Sequence, residues 1–93
     1  MLHFAWDPRK ARSNWQKHGV RFEEARDVFA DPLSLTEFDG QYGSEERYFT
    51  IGRTSRARLL VVVHNDHGET IRIISARQAT ASERRDYENG ETR

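Results

Sequence analysis

The stretch Leu59 to Arg77, LLVVVHNDHGETIRIISAR, leaves this chain few options. An unbroken apolar run, a polar turn and a second run rich in isoleucine predict a β-hairpin at the heart of a sheet. Everything before it has the character of covering material, and everything after it that of one closing helix.

Taken in order, LHFAW at residues 2–6 alternates Leu2, Phe4 and Trp6 on one side, as a short strand does. Asp7-Pro8 predicts a helix start, with Asp as N-cap and Pro where a missing donor costs nothing. That helix is expected to run to about His18, with Ala11, Trp15 and His18 on its inner face and Gly19 as its stop. A second helix is expected over Phe22 to Ala30, with Phe22, Ala25, Val28 and Phe29 as its apolar stripe. Asp31-Pro32 ends it. An edge strand over residues 33–38 and a loop over DGQYGSEE follow, then a strand from Arg47 to Arg53. After the hairpin, Thr80-Ala-Ser-Glu83 spells a capping box for a helix to about Glu88, with Gly90 beyond it. The expected order is β-α-α-β-β-β-β-α. This is an α+β fold, an antiparallel sheet packed by an N-terminal helical hairpin and a C-terminal helix.

At 93 residues, 1–93 is expected to form one domain, one that buries roughly 60–65% of its unfolded surface. Cysteine is absent, which excludes disulfides and thiolate metal sites. The longest apolar run, Leu59 to Val63, falls far short of the ~20 residues of a membrane span. The N-terminus lacks the pattern of a signal peptide, so a cytoplasmic location is expected.

Net charge is zero, but its distribution is not even. Residues 1–26 carry a net +3, residues 27–46 carry six acids and no Lys or Arg, and residues 47–93 carry a net +3. Local field rather than net charge steers a polyanion. Thirteen arginines against two lysines favour forked contact with phosphate.

Register turns this pattern into a candidate site. With His67-Gly68 central to one tight turn and Ser55-Arg56 to the other, Arg58 faces both Arg77 and Arg53. Ile51, Leu60, Phe49, Val62 and Ile73 then share one apolar face, and Arg47 faces His64. A row of Arg53, Arg58 and Arg77 repels itself unless an anion sits on it or helix carboxylates neutralise it. A slip of one residue would move these side chains to the opposite face. His64 is a candidate general acid or base, since an ordinary imidazole titrates near neutrality, or equally a structural histidine at a sheet end. His3, His18 and His67 lack metal-ligand spacing, so no metal site and no cofactor are expected. Trp6 and Trp15 are expected in the core.

The segments FAWDPRKARSNWQKHGVRFEEARDVFADP, EERYFTIGR and LLVVVHNDHGETIRIISARQATASERRDYENG together make the chain resemble the BrnT family of type II toxins, small RelE-like ribonucleases. The resemblance implies a RelE-like fold and a growth-arresting endoribonuclease. It also implies a DNA-binding antitoxin of the BrnA type that neutralises it and carries the complex to operator DNA. It places Arg58 and Arg77 at recurrent basic positions, and Glu83 and Tyr87 in ERxxYE.

Together with the arginine row, this suggests metal-free cleavage. The RNA 2′-hydroxyl attacks the neighbouring phosphorus, and Arg77 and Arg58, with Arg53, steady the charge that builds on the phosphoryl oxygens. His64, Glu83 and Tyr87 are the acid and base candidates, and Lys10, Lys17, Arg84 and Arg85 would hold the RNA backbone. The competing expectation is a non-catalytic module that docks RNA or protein on the same basic face.

Overall fold

The structure, a computed structural model, describes residues 2–90. It comprises β1 (His3–Ala5), α1 (Pro8–His18), α2 (Phe22–Ala25) continuing as a 3₁₀ segment Arg26–Ala30, β2 (Leu35–Tyr42), β3 (Glu45–Arg53), β4 (Leu59–His67), β5 (Thr70–Gln78) and α3 (Ala81–Asn89). The five strands form one sheet in the order β1-β5-β4-β3-β2. The fold is α+β, but the sheet is mixed rather than antiparallel, because β1 pairs with β5 in parallel. No hairpin ties β1 to a neighbour, so nothing local fixes its direction.

The caps form as the sequence dictates. Asp7 accepts from Arg9 N at 2.8 Å, and Gly19 closes α1 in the left-handed conformation. Thr80 and Glu83 cap α3 reciprocally, and Gly90 ends it.

Strand alternation divides the core in two. Leu60, Val62, Ile73 and Ala76 point to one face, against Val20, Phe22, Ala25 and Val28 of the α1–α2 layer. Ile51, Leu59 and Val61 point to the other, where only Tyr87 of α3 joins them as a buried partner. Each buried Leu, Ile, Val or Phe contributes about 1.5–3 kcal/mol. The two-helix face is therefore the sturdier one, and the α3 face stays partly open.

Three local expectations are corrected. The expected loop 39–46 is instead the end of β2, a tight turn at Gly43-Ser44, and the start of β3, with Tyr42 opposite Glu45. Gly43 takes φ 67°, which suits the first central position of a two-residue hairpin turn. On α1, Trp15 is 46% exposed beneath the Arg21 guanidinium, while Asn14 is buried. Trp6 does pack on the core, edge-on to Phe22. Asn14 accepts from Ala76 N at 2.9 Å and donates to Ala76 O at 2.8 Å and Val20 O at 3.0 Å. Since β1 ends opposite Arg72, Asn14 serves Ala76 as the missing strand would.

Register supplies the third correction. Arg53 pairs with Leu59 and Ile51 with Val61, one residue away from the expected match. The loop between β3 and β4 has three central residues, Ser55, Arg56 and Ala57, and Ala57 sits at φ 61°. Glu24 and Asp27 of the helical layer hold this loop by bonds from Thr54 and Ser55. The β4–β5 turn centres on Gly68-Glu69, and a bulge between Val63 and His64 shifts the pairing further, so that Arg77 faces Val61. Arg53 and Arg77 consequently share the α3 face, and Arg58 points to the helical layer. The row of three arginines does not form.

Candidate active site

On the α3 face, a cleft of about 360 Å³ opens between β2–β3 and the start of α3. Its floor is apolar, made by Phe49, Val61 and Val63. Arg77 and Glu83 form one wall, and Glu37, Phe38 and Asp39 form the other.

Arg77 and Glu83 meet as a fork, Nη1 to Oε1 at 2.7 Å and Nη2 to Oε2 at 2.9 Å. The capping box sets this geometry. Glu83 Oε1 also accepts from Thr80 N at 2.8 Å, while Thr80 Oγ1 accepts from Glu83 N at 3.2 Å. The Arg77 fork, aided by Thr80 and opposed by burial, brings the Glu83 carboxyl down to about 2. The same pair raises the Arg77 guanidinium above its ordinary value. Glu83 is therefore ionised at neutral pH and has no proton to donate.

Arg58 lies elsewhere. Its Nη2 meets Glu24 Oε1 at 2.6 Å, its Nε meets Oε2 at 3.0 Å, and Nη2 also reaches Gly19 O at 3.2 Å. Arg58 lowers the Glu24 pKa and is itself raised. Both Arg58 and Arg77 are thus neutralised by a carboxylate from a helix, the outcome that the sequence left as one of two.

Tyr87 is buried against Ile51, Leu59 and Val61, and its hydroxyl donates to Asp31 Oδ2 at 2.6 Å, away from Arg77. Burial and that bond raise the phenol above its ordinary value. Burial opposes the Asp31 charge, but bonds from Tyr87, Arg53 N and Leu33 N outweigh it and hold the carboxyl low. The Arg53 guanidinium lies 5.6 Å from the Tyr87 ring.

His64 is 2% exposed and belongs to the helical face. Its ring packs edge-on to Phe29 and stacks on Tyr48. Nε2 bonds Thr50 Oγ1 at 2.8 Å and Nδ1 bonds Asp66 Oδ1 at 2.7 Å, so both nitrogens are occupied. The sheet lies between it and the Arg77 cleft.

Arg84 and Arg85 are exposed on α3. Lys10 and Lys17 share one flank of α1 with His18, over a groove against Ile74 and Ser75 of β5. Of the sequence candidates, then, the structure brings Arg77 and Glu83 together in one cleft, with Arg53 on the same face. Arg58 and His64 stand apart. Glu37 and Asp39 were missed, since they fell at the end of an expected edge strand and in an expected loop. Their membership of the all-acid block was the available signal.

The sheet, the helical pair on one face and the cleft under a capped closing helix describe a small α+β fold with a charged cleft, and the comparisons give it a family. Residues 6–83 match the family model described as "Ribonuclease toxin, BrnT, of type II toxin-antitoxin system". The chain belongs to that family. The crystal structure of the Brucella abortus ribonuclease toxin, BrnT, is similar in fold, with a TM-score of 0.63 and 20% identity over 86% of this chain and 99% of that one. No curated protein matches the chain. No helix among the described residues is long and apolar enough to cross a membrane.

Proposed function

We propose that this chain is a metal-independent endoribonuclease of the RelE-like type that acts in the cytoplasm and is neutralised by a BrnA-type DNA-binding antitoxin. The observation that carries this reading is the Arg77 fork, held rigid by Glu83 and the α3 cap on an apolar-floored cleft. In this reading the RNA 2′-hydroxyl attacks phosphorus and the 5′-oxygen leaves, giving a 2′,3′-cyclic phosphate. Arg77 turns from sharing both prongs with Glu83 to sharing them with the phosphoryl oxygens, whose charge grows in the transition state. Glu83 is a positioning residue, and Glu37 on the facing wall is the carboxylate assigned to take the 2′-hydroxyl proton. Arg53, Lys10, Lys17, Arg84 and Arg85 hold the strand. Arg58, His64 and Tyr87 support the fold.

One observation favours the second reading, a non-catalytic RNA- or protein-docking module. Arg77 already shares both prongs with Glu83, and the cleft sets three carboxylates against one guanidinium. Incubating the purified protein with RNA in the presence of a chelator, then analysing product ends, separates the two. Cyclic phosphate ends that vanish with Arg77→Ala support the ribonuclease. Binding without cleavage supports the module.

A further inference from the structure

Charge on this molecule is arranged by side. The wall of the Arg77 cleft made by β2 carries Glu37 and Asp39 and repels a polyanion. The opposite approach, across β5, has the reverse character. There α1 and β5 enclose a groove of about 180 Å³ lined by Lys10, Lys17 and His18, together with Ser13, Ser75 and their neighbours Asn14 and Ile74. Among the described residues, none that lines it bears a carboxylate. Each of the other cavities described on the surface contains at least one.

The groove exists because of the sheet's topology. β1 covers β5 only from Thr70 to Arg72, so among the described residues the later part of β5 has a strand, β4, on one edge only. α1 fills the other edge, bonded to Ala76 through Asn14. Lys10, Asn14, Lys17 and His18 recur at spacings of four, three and one along the helix, which puts them on one flank. Asn14 is spent on the backbone, and the residues around it are left facing outward at the rim: Lys10, Ser13, Lys17 and His18 are all exposed.

β5 is the shared wall. Ser75, in the groove, and Arg77, in the cleft, are two residues apart on one strand and face Val63 and Val61 of β4. Strand positions two apart stand about 6.5–7 Å from one another on the same side of the sheet.

We propose that the α1–β5 groove binds the phosphodiester backbone of single-stranded RNA and that the strand passes from it over β5 into the Arg77 cleft. Lys10 and Lys17 supply the charge, and Ser13, His18 and Ser75 supply hydrogen bonds. This rests on the ribonuclease reading above and adds to it the side from which RNA arrives.

The test uses a 2′-O-methyl RNA oligonucleotide, which lacks the attacking hydroxyl and so reports binding alone. Its affinity is measured against salt for the wild-type chain, for Lys10→Ala/Lys17→Ala and for Lys10→Arg/Lys17→Arg, each checked for folding by circular dichroism. The alanine pair is expected to bind about tenfold more weakly, with a salt slope shallower by about 1–2, while the arginine pair retains binding. A folded alanine pair that binds with wild-type affinity and slope overturns the groove, even where the wild type cleaves RNA. A wild-type chain that neither binds the oligonucleotide nor cleaves RNA overturns both this proposal and the function beneath it.

Discussion

Arg77 and Glu83 hold one another by two parallel bonds of 2.7 and 2.9 Å, and Glu83 is at the same time the cap of α3. One carboxylate thus fixes both the start of a helix and the direction of the guanidinium beside it. Arg77→Ala should lower RNA cleavage by about 10²–10³, the usual effect of removing one donor that steadies a developing anion. It should also cost about 1–3 kcal/mol of stability, since Glu83 loses its partner. Arg77→Lys keeps the charge but not the fork, so its cleavage rate should fall between the two. Cleavage rate and urea midpoint, measured on the same preparations, check both parts.

The pair also predicts a dependence on acid. Glu83 titrates at about 2 in the folded chain against an ordinary 4.5. A lowered carboxyl stabilises the fold in full above the ordinary value, and that stability is lost as pH falls from 4.5 towards 2. Because Arg77 is partly open to solvent, about 2 kcal/mol is the expected size. Glu83→Gln should flatten this part of the stability–pH curve and lower stability at neutral pH. A curve for Glu83→Gln parallel to the wild type from pH 5 to 2 would show that the pair contributes nothing.

Most of the elements were legible because their signals are local. Asp7-Pro8, Gly19, Thr80 with Glu83, and Gly90 each act within a few residues, and the helices begin and end on them. The hairpin over residues 59–77 was legible from its apolar runs. Its register was not, because one extra loop residue is invisible in a hydrophobic pattern. Ala57 at φ 61° carries no signal of its own, since alanine seldom adopts that conformation. That one residue moves Arg58 to the face opposite Arg53, and the bulge between Val63 and His64 parts it from Arg77 as well, so the expected row dissolves. Asn14 was missed for a related reason: a buried helix amide serving a strand's backbone looks like any surface residue until the strand is placed. The cleft depended on the register, so only its Arg77–Glu83 wall was readable, through the capping box.

His64 offers a clean separation of structure from chemistry. It is buried between Phe29 and Tyr48, with both ring nitrogens bonded. His64→Ala should leave Thr50 without one partner and open a cavity, at a cost of about 2–4 kcal/mol. Cleavage per folded molecule should remain near the wild-type value at a temperature where the variant is folded. A specific loss of 10² or more with unchanged circular dichroism would return His64 to the reaction.

Gly52 marks how closely the helical layer sits on β3. A Cβ there would lie 2.8 Å from the Val28 Cβ and 2.9 Å from its carbonyl oxygen. Backbone cannot yield as a side-chain tip does, so Gly52→Ala should cost about 1–3 kcal/mol by forcing the 3₁₀ segment outward. Thermal unfolding measures it. Since Arg77 lies on the other face, cleavage by the folded fraction should change little.

Tyr87 is the last discriminating position, because it shares a face with Arg77 yet turns its hydroxyl to Asp31. Tyr87→Phe keeps the ring against Ile51, Leu59 and Val61 and removes only that donor. Asp31 still accepts from Arg53 N and Leu33 N, so the loss should be about 1 kcal/mol. If Tyr87 gave its proton to the leaving oxygen, the same change would slow cleavage by about 10²–10⁴. The raised phenol pKa and the 2.6 Å bond to Asp31 point to the smaller effect. Unfolding midpoint and single-turnover cleavage of Tyr87→Phe, taken together, decide it: a modest drop in the first with the second intact is the expected pair.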